Sequence, residues 1–253
     1  MEKVRIGKAY VDNVTQQEAI MAIDSMIVNN QKTYVVTPNL DHIVKLEQDP
    51  DFVRCYDQAG LVLADGNPLV WASKVLGTPL KALVTGSDLF PSLCRHAANR
   101  GFRLFFLGGL EGVAQKAADE LKKKFPGLNV VGVYSPPFGF DKNQQENRKI
   151  VEMINAVKPH ILFVGVGAPK QEKWMYNNIA QLDINVALGI GASFDFEAGS
   201  IKRAPKVFRQ VGMEWFWRFA NEPKRLFRRY FVESTPFIPI IYNQLKETKR
   251  EVK

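Results

Sequence analysis

Asp65 stands where a carboxylate could act as a general base. The apolar run 61–64 predicts a buried strand, Asp65-Gly66 is a turn dipeptide, and an apolar helical pattern follows from Leu69. In open α/β sheets, ligands bind in the crevice beyond the carboxyl ends of the strands, so a carboxylate at this point is a candidate base. The alternative is that Asp65 only caps the next helix.

Polar side chains follow two other predicted strands. Thr37 and Asn39 come directly after the β-rich run 33–36, where ordinary turn chemistry is the alternative to a functional role. Lys170 and Gln171 follow the apolar run 161–166 at the start of a helix. These two side chains are candidates to bind a phosphate or a sugar hydroxyl.

A glycine-rich turn, Gly108-Gly109, separates the strand 102–107 from the amphipathic helix 113–124. Free N–H groups at such a helix start can bind an anion, although a tight turn that merely needs glycine is the alternative. The pattern falls short of G-x-G-x-x-G, and no acidic residue follows the next strand to hold an adenosine ribose, which argues against NAD. A different nucleotide diphosphate remains open. Phe138 or Phe140, in the turn after the next strand, could cover its base or belong to the core.

No metal site is expected. Asp49-Pro50-Asp51 spells D-x-D, a pattern with which many sugar-nucleotide transferases hold a divalent ion. Here it does not follow an apolar strand, and it is interpreted as a helix cap. The three histidines lack partners at ligand spacing and are expected to be structural.

The alternation of strands and helices from residue 34 to 195 predicts an α/β fold, a three-layer αβα Rossmann-like arrangement around a mostly parallel sheet. Residues 4–36 are interpreted as strand, helix and strand, with Thr15 and Glu18 forming a capping box. We expect a catalytic α/β domain at 1–199 and a basic helical appendage at 200–253.

Charge is concentrated in one part of this chain of 253 residues and net charge +8. Residues 1–199 are neutral, with 21 basic and 21 acidic side chains, whereas 200–231 hold nine basic and two acidic ones. The first residues lack the apolar core that is typical of a secretion signal, and no run approaches the length of a membrane-spanning helix. With two cysteines, we expect a reduced, cytoplasmic setting.

The basic segment interleaves arginine and lysine with phenylalanine and tryptophan, as amphipathic helices at membrane interfaces do. Three interpretations compete: a nucleic-acid arm, an anchor on an anionic membrane surface, and a lid whose arginines close on a diphosphate. The density of large aromatic side chains disfavours nucleic acid. The second and third interpretations are compatible, and exposed apolar surface in the tail would favour a homo-oligomer.

The chain resembles the WecG/TagA/CpsF glycosyltransferases, glycosyltransferase family 26, over nearly its whole length. The motifs that carry the resemblance are TPN at 37–39, LADG at 63–66, VTGSDL at 84–89, FFLGG at 105–109, VGxGAPKQExW at 164–174, GxxFDxxAG at 191–199, KRAP at 202–205 and GxEWxxRxxxEPxRxxR at 212–228.

The resemblance implies an inverting, metal-independent transfer from a UDP-sugar to a sugar on undecaprenyl diphosphate, at the cytoplasmic face of the bacterial membrane. N-acetylmannosamine is the expected sugar, glucose or glucuronic acid in exopolysaccharide assembly is the alternative, and an inactive membrane-binding scaffold is the remote one. The residues that match the family's site are the base Asp65, then Thr37, Asn39 and Gln171, the appendage arginines Arg218, Arg225 and Arg228, and the nucleotide pocket at Gly108, Gly109 and Asp195.

One position departs from the family pattern. Leu83 stands where the resemblance leads us to expect an arginine that helps the donor diphosphate or the acceptor. Lys81 is a possible substitute, although it lies two residues away. The departure indicates either weaker activity or a different substrate.

Overall fold

Six parallel strands form the central sheet of the computed structural model, which describes residues 1–205, 208, 214–221, 223, 227 and 233–251. The strands are β3 (Thr33–Val36), β4 (Leu61–Val62), β5 (Arg103–Gly108), β6 (Asn129–Tyr134), β7 (Ile161–Gly165) and β8 (Val186–Gly189). Their order across the sheet is β4-β3-β8-β7-β5-β6. The predicted parallel sheet is confirmed, although β4 ends at Val62 and the rest of the apolar run continues as a buried loop.

The first strand predicted from the sequence is half of an antiparallel hairpin that the sequence interpretation missed. Its strands are β1 (Lys3–Ile6) and β2 (Ala9–Asp12), and they lie outside the main sheet. The buried carboxylate of Asp12 accepts a hydrogen bond of 2.8 Å from the backbone N–H of Val62. Because β4 is an edge strand, this bond gives one of its outward backbone donors a partner.

Helices cover both faces of the sheet, which confirms the three-layer arrangement. They are α1 (Gln16–Val28), α2 (Leu40–Gln48), α3 (Pro50–Asp57), α4 (Asn67–Val75), α5 (Gly86–Arg100), α6 (Val113–Lys124), α7 (Gln144–Val157), α8 (Lys170–Asn178) and α9 (Ser193–Glu197). One apolar core lies between the sheet and α2, α3, α4, α7 and α8. The other lies between the opposite face and α1, α5, α6 and α9.

Four buried phenylalanines hold α5 and α9 against the second face of the sheet. The ring of Phe90 lies 4.8 Å from that of Phe163 and 5.4 Å from that of Phe194, centroid to centroid. Phe106 lies 5.2 Å from Phe194. Burying each side chain stabilises the fold by about 1.5–3 kcal/mol, so the starts of α5 and α9 have little freedom to move.

Short polar side chains begin several helices, as the sequence predicts. The capping box of Thr15 and Glu18 is present at α1. Asp49 caps α3 by accepting from the N–H of Phe52, and it also pairs with Lys173 at 2.6 Å, so the interpretation of D-x-D as a cap is confirmed. Asp65 does not cap α4, because the N-cap position is Gly66 and no side chain bonds there.

Within the described residues, the C-terminal region contains the helices α10 (Glu214–Asn221) and α11 (Phe237–Glu251). Phe237 and Ile241 of α11 pack into the core that contains α2. Gln244 accepts from the N–H of Gly7 and donates to the carbonyl of Arg5, both at 2.8 Å. The end of the described chain is therefore fastened to the N-terminal hairpin, and the boundary at residue 199 stays a prediction.

None of the helices within the described ranges is long and apolar enough to cross a membrane.

Candidate functional site

The carboxyl ends of all six strands meet at one edge of the sheet. Following the strand order, this edge presents Asp65, Thr37, Gly191, Gly165, Gly108 and Ser135. Adjacent strands are about 4.8 Å apart, so the four steps from β4 to β5 separate Asp65 from the glycine turn by about 19 Å. The edge is therefore long, and a carboxylate and a candidate anion-binding turn lie toward its opposite ends.

Asp65 lies in the loop between β4 and α4 and is partly exposed. Its backbone N–H donates to the carbonyl of Pro38 at 2.8 Å, which joins its loop to the one that follows β3. Its Oδ2 accepts from the N–H of Gly86 at 3.3 Å. Gly86 is the first residue of α5, so the carboxylate lies at the positive end of that helix dipole.

Thr37 and Asn39 lie beside Asp65 but face different surroundings. Thr37 is buried, and its hydroxyl donates to the carbonyl of Gly189 at 3.3 Å, which ties β3 to the end of β8. Asn39 is partly exposed and caps α2, where its side-chain oxygen accepts from the N–H of His42. A methyl group on Gly66 would lie 3.9 Å from the Cβ of Asn39, so Asn39 borders the loop that carries Asp65.

Gln171 is only 2% exposed, and both polar atoms of its amide bond to the protein. The oxygen accepts from the N–H of Gly191 at 3.2 Å, and the nitrogen donates to Glu172 at 2.7 Å. A Cβ on Gly189 would lie 2.8 Å from this amide nitrogen. Gln171 therefore supports the loop after β8 from within the protein, which its predicted place at the surface of the site did not anticipate.

The glycine turn packs directly on the end of β7. A Cβ on Gly108, whose φ is +122°, would overlap the carbonyl oxygen of Gly165, and the N–H of Gly109 donates to that oxygen at 3.0 Å. Ser135 donates from its hydroxyl to the carbonyl of Gly108 at 3.2 Å. An open cleft of about 590 Å³ lies here, lined mainly by 109–112 and 133–137.

The two aromatic residues of the loop after β6 differ in exposure. Phe140 is buried in the core, whereas Phe138 is fully exposed. The Nζ of Lys170 lies 5.0 Å from the centre of the Phe138 ring and 3.7 Å from Asp141. Lys170 therefore links this loop to the start of α8. Phe138 is the aromatic side chain of the pair that a bound base could contact.

Asp195 lies in α9, two helical positions after the start of that helix, and is partly exposed. Its neighbour Phe194 packs under the site, since a Cβ on Gly165 would lie 2.7 Å from the Phe194 ring. The start of α9, which carries Asp195, thus lies between the glycine turn and the end of β3, along the same edge.

The predicted arginines lie in the least described part of the chain. Arg218 belongs to α10 by its backbone, whereas Arg225 and Arg228 lie outside the described residues. Sequence reasoning gave no role to Arg203, although it quoted the KRAP motif that contains it. Arg203 pairs with Asp88 at 2.7 Å and donates to the carbonyl of Ser87 at 3.2 Å, so it fastens the start of the basic segment to α5 beside Asp65.

Similarity to known proteins agrees with this geometry. The model of the Glycosyl transferase WecG/TagA/CpsF family matches residues 4–251. The chain belongs to this family.

Two relatives of this chain are both named N-acetylglucosaminyldiphosphoundecaprenol N-acetyl-β-D-mannosaminyltransferase. The one from Bacillus spizizenii W23 is 34% identical over 196 residues, which cover 78% of this chain and 74% of that protein. The one from Staphylococcus aureus MW2 is 29% identical over 253 residues, which cover 99% of this chain and 95% of that protein. This WecG/TagA/CpsF protein is therefore a glycosyltransferase, and the predicted family is confirmed.

Proposed function

We propose that this chain transfers N-acetylmannosamine from a UDP-sugar to N-acetylglucosamine on undecaprenyl diphosphate, with inversion at the anomeric carbon. The observation that carries the proposal is the shared sheet edge, on which Asp65 and the glycine turn both lie. The names of the two relatives support the choice of sugar and acceptor.

Asp65 is the proposed general base. An inverting transfer needs one group that deprotonates the acceptor hydroxyl while the nucleotide leaves from the opposite face of the sugar. The bond from the N–H of Gly86 to Oδ2 holds the carboxylate at the start of α5, where it faces the sheet edge. Thr37 and Asn39 border this position, and we assign them to orienting the sugars.

The nucleotide is proposed to lie toward the other end of the edge. Backbone N–H groups near a glycine turn and a helix start favour a diphosphate. The cleft next to Ser135 has room for a nucleoside, and Phe138 offers an exposed ring on which a base could stack. Lys170 and Asp195 flank the path between the two ends.

The leaving diphosphate is proposed to be neutralised by arginines of the basic segment, without a metal ion. Bidentate guanidinium contacts suit a diphosphate, and Arg218, Arg225 and Arg228 are the candidates. The engagement of Asp49 as a helix cap and ion-pair partner supports this choice over a D-x-D metal site.

The chain is also proposed to bind peripherally to the cytoplasmic face of the membrane. A lipid-linked acceptor resides in the bilayer, and each basic residue near an anionic surface contributes about 1 kcal/mol of attraction. The nine basic residues of 200–231 make this segment the contact region that we propose.

The proposal is tested by measuring UDP release with a panel of UDP-sugars and a short-chain lipid diphosphate that carries N-acetylglucosamine. We expect turnover with UDP-N-acetylmannosamine and persistence of that turnover in excess EDTA. Turnover only with UDP-glucose or UDP-glucuronic acid would replace the proposed donor. Turnover that disappears in EDTA and returns with Mn²⁺ would contradict the metal-independent mechanism.

A second candidate, an inactive membrane-binding scaffold, is favoured by one observation. Leu83 replaces the expected arginine, and the Nζ of Lys81 is engaged 3.2 Å from Glu18, so it does not supply that charge at the sheet edge. If the chain is such a scaffold, the wild type binds liposomes and releases no UDP from any donor, and the Leu83→Arg variant gains activity. We expect instead that the wild type turns over and that Leu83→Arg changes the KM for the donor more than kcat.

A further inference from the structure

Glu172 is a completely buried acid beside the candidate site, and the proposed roles do not use it. Its exposed fraction is 0%, and Oε1 accepts the hydrogen bond of 2.7 Å from the amide nitrogen of Gln171. The other oxygen, Oε2, has no hydrogen-bond partner within the described part of the chain. A half-satisfied buried carboxyl group is costly, so its presence calls for an explanation beyond packing.

The bonds of Gln171 connect Glu172 to the sheet edge. The Gln171 amide is fixed at both ends, by Glu172 at its nitrogen and by the N–H of Gly191 at its oxygen. The carbonyl of Gly189, the last residue of β8, accepts from Thr37, so the end of β8 also contacts the loop after β3, beside Asp65. Rotation of the Gln171 amide would therefore release the N–H of Gly191 and loosen the turn in the middle of the site.

We propose that Glu172 is a positioning residue, which orients the amide of Gln171 and through it the turn between β8 and α9. The inference deepens the proposed transfer reaction and rests on it. Glu172 itself does not touch substrate, and its effect on turnover passes through the side chain of Gln171.

A purely structural role would favour a different residue at this position. An apolar side chain of similar volume would fill the space between α8 and α3 without the cost of desolvating a carboxyl group. The acid is useful only because it accepts a hydrogen bond. Retaining it at the expense of stability is typical of groups that serve a functional site.

Ionisable groups on two neighbouring helices face Glu172. Asp41 and Lys45 approach from α2, and Cys55 and Tyr56 approach from α3. Burial is the largest effect, and it raises the pKa of Glu172 to about 7. At pH values between the ordinary pKa of 4.5 and this raised pKa, Glu172 is protonated in the folded protein and ionised in the unfolded chain. Stability conferred by the proton is therefore lost as the pH rises through this window.

The test compares Glu172→Met with Glu172→Gln. Methionine fills the volume without an acceptor, so we expect kcat to fall by about 10–10²-fold while the Kd for UDP stays the same. The Tm of this variant at pH 8 should equal or exceed that of the wild type, and its decline between pH 5 and pH 8 should be smaller. Glutamine still offers an oxygen to Gln171, so its kcat should stay close to the wild-type value while the pH dependence of Tm is also reduced.

Glu197→Gln serves as the matched control, because Glu197 is also largely shielded and pairs with Lys124 rather than with Gln171. It should leave kcat unchanged. An unaltered kcat in Glu172→Met would overturn the proposal. So would a joint loss of Tm and kcat in both Glu172 variants, which is the signature of a structural role.

A readout independent of turnover separates this inference from the proposed reaction. The side-chain amide signal of Gln171 in the NMR spectrum of the isotope-labelled protein, assigned with Gln171→Leu, should be protected from solvent exchange in the wild type and in Glu172→Gln. It should lose that protection in Glu172→Met. If the wild type releases no UDP, the proposed function fails while this signal still decides whether Glu172 holds the amide, and an unchanged signal overturns the inference.

Discussion

Replacement of Asp65 by asparagine is expected to lower kcat by about 10²–10⁴-fold, the contribution of a general base. Asparagine keeps the shape of the side chain and can still accept from the N–H of Gly86, so the loop should keep its conformation. The Kd for UDP, measured by calorimetry, should stay within about twofold because the nucleotide is assigned to the glycine turn, about 19 Å from Asp65 along the edge.

Asp51→Asn is the control for this experiment. Asp51 is the second acid of D-x-D, it is exposed, and it pairs with Arg54 on the same helix. We expect its kcat to match that of the wild type. Normal turnover by Asp65→Asn would refute the base assignment, and a large loss in Asp51→Asn that depends on Mn²⁺ would restore the metal interpretation.

Gly108→Ala is expected to lower the free energy of unfolding by about 3 kcal/mol, as a strained backbone position does. The added Cβ would overlap the carbonyl oxygen of Gly165, and the φ of +122° is unfavourable for any residue with a side chain. For a chain of this size the change corresponds to a decrease of about 6–12 °C in Tm, measured by calorimetry. The variant should also bind UDP less tightly, since the N–H groups of the turn would be displaced.

Gly112→Ala separates the effect of the steric overlap on stability from the effect of the positive φ. Gly112 also has a positive φ, of +78°, but a Cβ there meets nothing within 4 Å. Its cost should be only the conformational one, about 1 kcal/mol, or about 2–4 °C in Tm. If the two variants lose the same free energy of unfolding, the close contact between the glycine turn and β7 adds nothing to the cost of the positive φ, and the prediction is wrong.

Elements with strong local signals could be predicted to the residue. The bounds of α6 match the sequence prediction because an amphipathic period stands between Gly112 and Pro126. The N-terminal hairpin was missed, although Gly7-Lys8 separates two short alternating runs and could have signalled a two-residue turn. Strand order is set by long-range packing, which leaves no mark in a local pattern.

The site was predictable by residue type and less so by burial. Asp65 could be placed because a strand end and a turn dipeptide mark it. Glu172 could not, because an acid in the first turn of a helix is usually an exposed partner of the helix dipole. Its burial arises from the packing of α8 against α3, and only the structure reveals that Gln171 points inward with it.

The pairing of Arg203 with Asp88 and of Gln244 with Arg5 and Gly7 has a consequence for how the intervening cationic stretch can work. Because both ends of this stretch are attached to described parts of the same chain, the effective concentration of its arginines at the sheet edge is set by chain length and geometry and does not depend on the concentration of the protein.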